Sequence, residues 1–241
     1  GTTGITGPVT TTNSLHGTSE NDTVGWANVL PNGDYVALTS RWDHGGVANV
    51  GAATWADGTT GITGPVTTTN SLHGTSENDS VGLFVSRLGN GAFAVLSPNW
   101  NHDGVSRAGA VTWSDGTGAI TGPVTTANSL HGTSENDSVG DSPAADGAID
   151  LGNGDFVVAS VWWDDGANVD AGAVTFGLAS SGVTGPITSS NSVIGTPPGG
   201  IVDAGRAVTS GDAVPVPPRQ GRVLLMLLDR SPVFVGTPAD V

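Results

Sequence analysis

Carboxylates, imidazoles and indoles recur together in this chain at fixed intervals. His16-Gly17-Thr18-Ser19-Glu20-Asn21-Asp22, His73 to Asp79 and His131 to Asp137 share a His-x-x-x-Glu-x-Asp spacing. Three further segments begin Trp42-Asp43-His44, Trp100-Asn101-His102-Asp103 and Trp163-Asp164-Asp165. An indole offers a flat apolar face to a sugar ring while carboxylate oxygens take its hydroxyls, and acids side by side suit a hard cation such as Ca2+. The candidate ligand-binding residues are therefore Glu20, Asp22, Glu77, Asp79, Glu135 and Asp137 with Trp42, Asp43, His44, Trp100, His102, Asp103, Trp163, Asp164 and Asp165.

The same residues have a purely structural reading. Asp22, Asp79 and Asp137 can cap turns through their side-chain oxygens. The three tryptophans fall in phase with core positions and can act as wedges between sheets. The His-x-x-x-Glu-x-Asp spacing aligns metal ligands only on a helix or a curled loop, so no metal site is assigned. In the last copy Ile194 replaces the histidine and Pro197-Pro198 the acids, so no equivalent site is expected there. No catalytic residue is assigned either. Nothing sets one carboxylate pair apart in an environment that would separate two pKa values. No G-x-S-x-G, H-E-x-x-H or phosphate loop is present.

Composition narrows the partners. With 22 carboxylates against 7 cations, all arginine, the formal charge of −15 repels phosphate backbones. Nucleic acid and anionic membrane surfaces are thereby disfavoured. There is no cysteine, hence no disulfide or thiolate metal site. No apolar run approaches the roughly 18 residues of a membrane span, and Val223 to Leu228 is only long enough for a strand. The chain opens on Gly-Thr-Thr in mid-repeat, with no charged or apolar leader, and reads as a mature product or a piece of something longer. Abundant Gly, Thr, Ser and Asn with little charge match secreted bacterial repeat proteins, so an extracellular or cell-surface location is expected.

The elements that must hold these residues come from one repeated phrase. GITGPVTTTNSLHGTSEND runs from Gly4 to Asp22, recurs unchanged from Gly61 to Asp79 and returns with small changes from Ala119 to Asp137. A worn copy starts at Gly182. Periods of this length mark stacked or radial supersecondary units. No stretch carries helical periodicity, so the chain is all β. Each unit contains four strand candidates. In the first unit they are Val24 to Leu30, Asp34 to Trp42, Gly51 to Ala56, and the phrase itself from Ile62 through Leu72. Asn-Gly turns at Asn32, Asn90 and Asn153 join the first two strands as hairpins. The second strand is apolar on both faces (Val36 and Leu38 against Tyr35 and Ala37), as in a strand sandwiched between sheets. The Gly-Pro step puts the fourth strand at an edge.

Such units describe the blades of a β-propeller. One domain over residues 1–241 is expected, with four four-stranded blades near 23–72, 80–130, 138–194 and 200–230 plus 4–15. The ring would close by pairing Gly4 to Leu15 with Val223 to Asp229 in the C-terminal blade. A fragment of a larger propeller and a β-solenoid are the alternatives. Antiparallel connection then sends the loops after the second and fourth strands to one rim, which gathers the acids, histidines and tryptophans.

The strand order, with Val24-Gly25, Val81-Gly82 and Val139-Gly140 at the start of units and Gly109-Ala110-Val111-Thr112-Trp113 in a third strand, resembles the FG-GAP repeat of integrin-α-type propellers. It is also similar to tandem repeats of large bacterial adhesin-type surface proteins. The resemblance implies a propeller in a surface protein. It does not bring the family's calcium site, because Pro31-Asn32-Gly33-Asp34 and Gly89-Asn90-Gly91-Ala92 are too short and too poor in carboxylates. The expected role is a non-catalytic structural or adhesive module, with a glycan or a surface protein as partner. A carbohydrate-binding lectin-like propeller is the alternative and a glycan-processing enzyme the third reading, since repeated equal sites suit binding rather than turnover.

Overall fold

The computed structural model describes residues 7–141, 147–152 and 154–195, and the backbone of 213–216, 224–229 and 231–234. Its regular structure is all β, apart from a single 3-10 turn at Gly89–Gly91. The N-terminal copy of the phrase contributes β1 (Leu15–His16). The first unit comprises β2 (Trp26–Val29), β3 (Tyr35–Thr39), β4 (Ala52–Ala56), β5 (Gly64–Pro65) and β6 (Leu72–His73). The second comprises β7 (Phe84–Arg87), β8 (Phe93–Ser97), β9 (Ala110–Ser114), β10 (Gly122–Pro123) and β11 (Leu130–His131). The third comprises β12 (Ala148–Asp150), β13 (Phe156–Ser160), β14 (Ala173–Gly177), β15 (Gly185–Pro186) and β16 (Ser192–Ile194). A last sheet holds β17 (Ala213–Val216), β18 (Leu224–Asp229) and β19 (Ser231–Phe234).

Within a unit the strands form an antiparallel meander, β2-β3-β4-β6 in the first and β7-β8-β9-β11 in the second. The hairpins sit at the expected Asn-Gly steps but differ in geometry. Pro31 supplies a fixed φ and only Gly33 is left-handed (φ 93°), with Leu30 N–H donating to Asp34 O at 2.7 Å. In the second unit Asn90 and Gly91 are both left-handed, at 60° and 88°.

The expected fourth strand, Ile62 through Leu72, is instead two short strands with a turn between them. Pro65 cannot donate to a ladder, and Asn70 stabilises the turn. Its Oδ1 accepts from Thr67 N–H at 2.8 Å and Ser71 Oγ at 2.8 Å, while its Nδ2 donates to Pro65 O at 3.0 Å. Asn13, Asn128 and Asn191 make the same set of contacts in the other copies. Ser71 is also tied to Thr54 on β4 by a buried hydroxyl pair at 2.7 Å, repeated at Thr112–Ser129 and Thr175–Ser192.

Successive copies of the phrase pair with each other in parallel, β1 with β5, β6 with β10 and β11 with β15. The residues flanking each proline donate: Gly64 N–H to Ser14 O (3.0 Å) and Val66 N–H to His16 O (2.9 Å). A second parallel contact joins Gly51 to Val81 and Gly109 to Val139. Gly51 is left-handed (φ 74°), and an added Cβ would strike the Val81 backbone, so only glycine allows that approach.

The sheets also pack face to face. Val36 and Leu38 of the first sheet share a core with Phe93, Val95 and Trp100 of the second. Ala94 and Leu96 of the second likewise meet Phe156, Val158 and Trp163 of the third. Phe93 and Phe156 are fully buried, each worth about 1.5–3 kcal/mol of apolar transfer. The equivalent residue of the first unit, Tyr35, is only half-buried. Simple alternation would put each tryptophan on the face of Val36 and Leu38 in its own strand, but Trp42 clusters with Val50 and Val66, and Trp100 with Phe93 and Val95 rather than with Ala94 and Leu96. A turn with Trp42 N–H on Thr39 O, repeated at Trp100 and Trp163, ends the strand and swings each indole to the opposite side.

Among the described residues none of the sheets closes on itself. Gly4 to Leu15 was expected against Val223 to Asp229. Its described part instead pairs through β1 with β5, and β18 pairs with β17 and β19. The N-terminal copy carries the same donors and acceptors as later ones and so makes the same copy-to-copy contact. Ile201 to Thr209, Pro197-Pro198 and residues 142–146 of the third-unit insertion lie outside the described residues.

Candidate functional site

The loops that follow the second and fourth strands meet at one rim, and the repeated aspartates join them. Asp79 is fully buried. Its Oδ2 accepts from Thr75 N–H (2.9 Å) and Ser76 N–H (2.8 Å), and its Oδ1 from Asn101 N–H (3.0 Å) and Asn101 Nδ2 (2.8 Å). Asp22 accepts from Thr18, Ser19 and Asp43 N–H, and Asp137 from Thr133, Ser134 and Asp164 N–H. Each carboxylate thus closes its own loop and clasps the loop after the following second strand. The glycine after each histidine (Gly17, Gly74, Gly132) lies against the carboxylate with no room for a side chain.

A second tier extends this clasp. Asp43, Asn101 and Asp164 each present Oδ1 to a backbone N–H six residues on, at Asn49 (2.7 Å), Arg107 (2.9 Å) and Asp170 (2.8 Å). Between them runs a miniature hairpin, with His44 paired to Val47, His102 to Val105 and Asp165 to Asn168. Gly45-Gly46 and Asp103-Gly104 at its tip have positive φ at both positions, the type I′ pattern.

Trp42, Trp100 and Trp163 are 1%, 3% and 5% exposed. His44 stacks on Trp42 with ring centroids 4.9 Å apart, and His102 stacks on Trp100 at the same distance. His73 and His131 meet those indoles edge-on at 6.2 and 6.3 Å. Trp42 and Trp100 each therefore have an imidazole stacked on the indole. Glu20, Glu77 and Glu135 stand exposed on the loop tips, as do Asp103 and Asp165. Among the described residues no three His, Asp or Glu side chains converge as metal ligands.

Electrostatics follow burial. Burial pushes the Asp137 carboxyl above its ordinary 3.8, opposed by N–H donors from Ser134, Thr133 and Asp164. Burial likewise holds the His131 imidazole below 6.5, opposed by its hydrogen bond to Gly132 O, with His102 lowering it further and Asp103 raising it. Both groups also hold backbone: Asp137 accepts from Thr133, Ser134 and Asp164 N–H, and His131 Nδ1 lies 2.8 Å from Gly132 O.

The large exposed aromatic rings of Trp26 and Phe84 lie away from this rim. A groove of about 780 Å³ runs between the first strands of successive units, lined by Trp26, Asn28, Arg41, Phe84, Leu96 and Gly147 among others. Trp26 is 78% exposed and Phe84 50%. The sequence does not single them out, because the residue type at this position changes from unit to unit. The signal was available in strand register: Trp26 pairs with Leu38 and Phe84 with the equivalent Leu96, whereas the third unit has Gly147 there.

Removing the clasp should unfasten two units. Asp79→Ala leaves four donors without an acceptor and is expected to cost about 3 kcal/mol, read as a lower urea midpoint. Asp79→Asn, which keeps one acceptor oxygen, should lose less. The His131 shift predicts a pH effect. Because the folded imidazole resists protonation, the unfolded chain binds more protons below about 6.5, and stability falls as pH drops through that value toward the lowered folded pKa. Between about pH 7.5 and 5.5, the urea midpoint of His131→Gln should fall less than that of the unaltered chain.

No curated protein matches the chain. A family model described as a repeat of unknown function, DUF5650, matches it at residues 1–26, 29–83, 87–141 and 150–204. The tandem organisation expected from the FG-GAP resemblance is thereby supported, while the model that matches is a different repeat. With most of its length covered by four copies of one repeat, the chain belongs to the DUF5650 family.

Proposed function

We propose that this chain is a non-catalytic structural and adhesive module of a secreted or surface protein, built to link units rather than to turn over a substrate. The observation that carries the reading is where the copied residues go. Asp22, Asp79 and Asp137 engage backbone N–H groups, Asn13, Asn70, Asn128 and Asn191 hold turns, and Trp42, Trp100 and Trp163 are buried between sheets. The recurring chemistry is taken up by architecture. Repeat identity therefore reflects a joint that must be remade at every unit.

The units are arranged as propeller blades in this reading. The FG-GAP-like strand order supports it, as does the first sheet, whose outer face keeps Val29 60% exposed and Tyr35 half-buried where the next sheets bury Phe93 and Phe156. A fourth blade seated there would complete a ring. The chain has no cysteine, so spin labels can be placed cleanly at Val29→Cys and Asp229→Cys. A ring predicts a label separation within about 20 Å. An open stack with three sheet spacings of about 10 Å each predicts about 30 Å or more and would overturn the ring.

The structural role is tested by pulling single molecules from their ends. Unit-by-unit unfolding is expected, with contour gains of about 20 nm for each repeat of roughly 57 residues. Collapse of the whole chain in one step would contradict a modular joint. A carbohydrate-binding role is the second reading, favoured by the exposed aromatics of the groove.

A further inference from the structure

We infer that the groove between β2 and β7 is a binding site for a short glycan carrying a carboxylate, such as a uronic or sialic acid. The inference stands apart from the structural role and rests on the second, carbohydrate-binding reading, at a different place from the acidic rim.

Three observations combine. First, Trp26 and Phe84 occupy the same register position of adjacent first strands, yet neither joins the core. Two large rings left open at one groove are a surface that stacks a planar or saddle-shaped apolar face, such as the C–H face of a pyranose. Second, the groove is charged against the grain of the molecule. In a chain of net charge −15 its described lining contains Arg41 and no carboxylate. The single ion pair among the described residues is His102–Asp103, so Arg41 has no acidic partner there. A guanidinium without a carboxylate, in the same groove as two open aromatic rings, is the fork that receives one from a ligand. The overall negative charge disfavours long polyanions, leaving a small acid. Third, the groove is asymmetric in a protein otherwise made of copies. Where the third unit would place a third aromatic it has Gly147, left-handed at φ 67°, whose added Cβ would meet Leu96 Cδ1 at 2.6 Å. The rings of Trp26 and Phe84 therefore have one partner side, and Asn28, on the same face of β2 as Trp26, adds an amide for a hydroxyl.

Isothermal titration with trigalacturonate, its methyl ester and sialyllactose tests this. Trigalacturonate or sialyllactose should bind once per chain, and Trp26→Ala and Arg41→Ala should each weaken binding by about tenfold or more while leaving the thermal midpoint unchanged. The methyl ester should bind the unaltered chain about tenfold more weakly than the acid and should not distinguish it from Arg41→Ala. Glu77→Gln should have no effect. Absence of binding by both acidic probes at millimolar concentration, binding unchanged in Trp26→Ala, or equal affinity for acid and ester would overturn the inference. Loss of binding in Glu77→Gln alone would do the same by moving the site to the acidic rim. None of these outcomes bears on the pulling experiment, so the two readings fail independently.

Discussion

The rest of the structure depends on a few hydrogen bonds made between copies of the same phrase. The Ser and His carbonyls of one copy accept from the two residues that flank the proline in the next, Gly64 and Val66, Gly122 and Val124, and Gly185 and Ile187, at 2.9–3.1 Å. Proline removes one donor from this ladder, and the neighbours on either side supply the bonds. These bonds are main-chain to main-chain, so the phrase matters through the backbone path that its Gly-Pro step and Asn-held turn impose on both sides of each junction. That is a physical reason for copies to stay alike, independent of any ligand.

On this parallel seam the sheets stack face to face, and the aspartate clasp closes their rim. A buried carboxylate is costly unless several donors hold it, and here three or four backbone and amide N–H groups do so. The clasp fixes the loop after one unit to the loop inside the next, so each joint is covalently continuous, hydrogen-bonded and packed. Among the described residues, successive copies are therefore joined in three ways. Ligand recognition, if it resides in this chain, needs residues the joint leaves free. Trp26, Phe84 and Arg41 meet that condition, and Trp42 and Asp79 do not.

Much of this was legible in the sequence. The copies, their all-β character, the Asn-Gly hairpins and the two-sided burial of the second strand all follow from local pattern, because hairpins and alternation are short-range effects. The sorting of Asp22 and Asp43 onto one rim followed from antiparallel geometry. Three features were not legible. The fourth strand broke in two because Asn70 satisfies a turn with side-chain bonds that no periodicity reveals. Trp42 left its expected face because a turn after Thr39 ended the alternation. The N-terminal copy joined β5 because parallel pairing between identical segments competes with any ring closure and leaves no trace in strand propensity. For the rim residues, the types alone suggested a ligand, and only the positions of the N–H donors assigned them to backbone.

Amide hydrogen exchange tests the central claim most directly. If the phrase is the joint, the N–H groups of Val66, Val124 and Ile187 and those of Thr75, Ser76 and Asn101 should exchange at rates close to global unfolding, although most lie in loops or two-residue strands. Exchange of these amides as fast as that of the exposed Gly45-Gly46 tip, while the β3 and β8 amides stay protected, would contradict it.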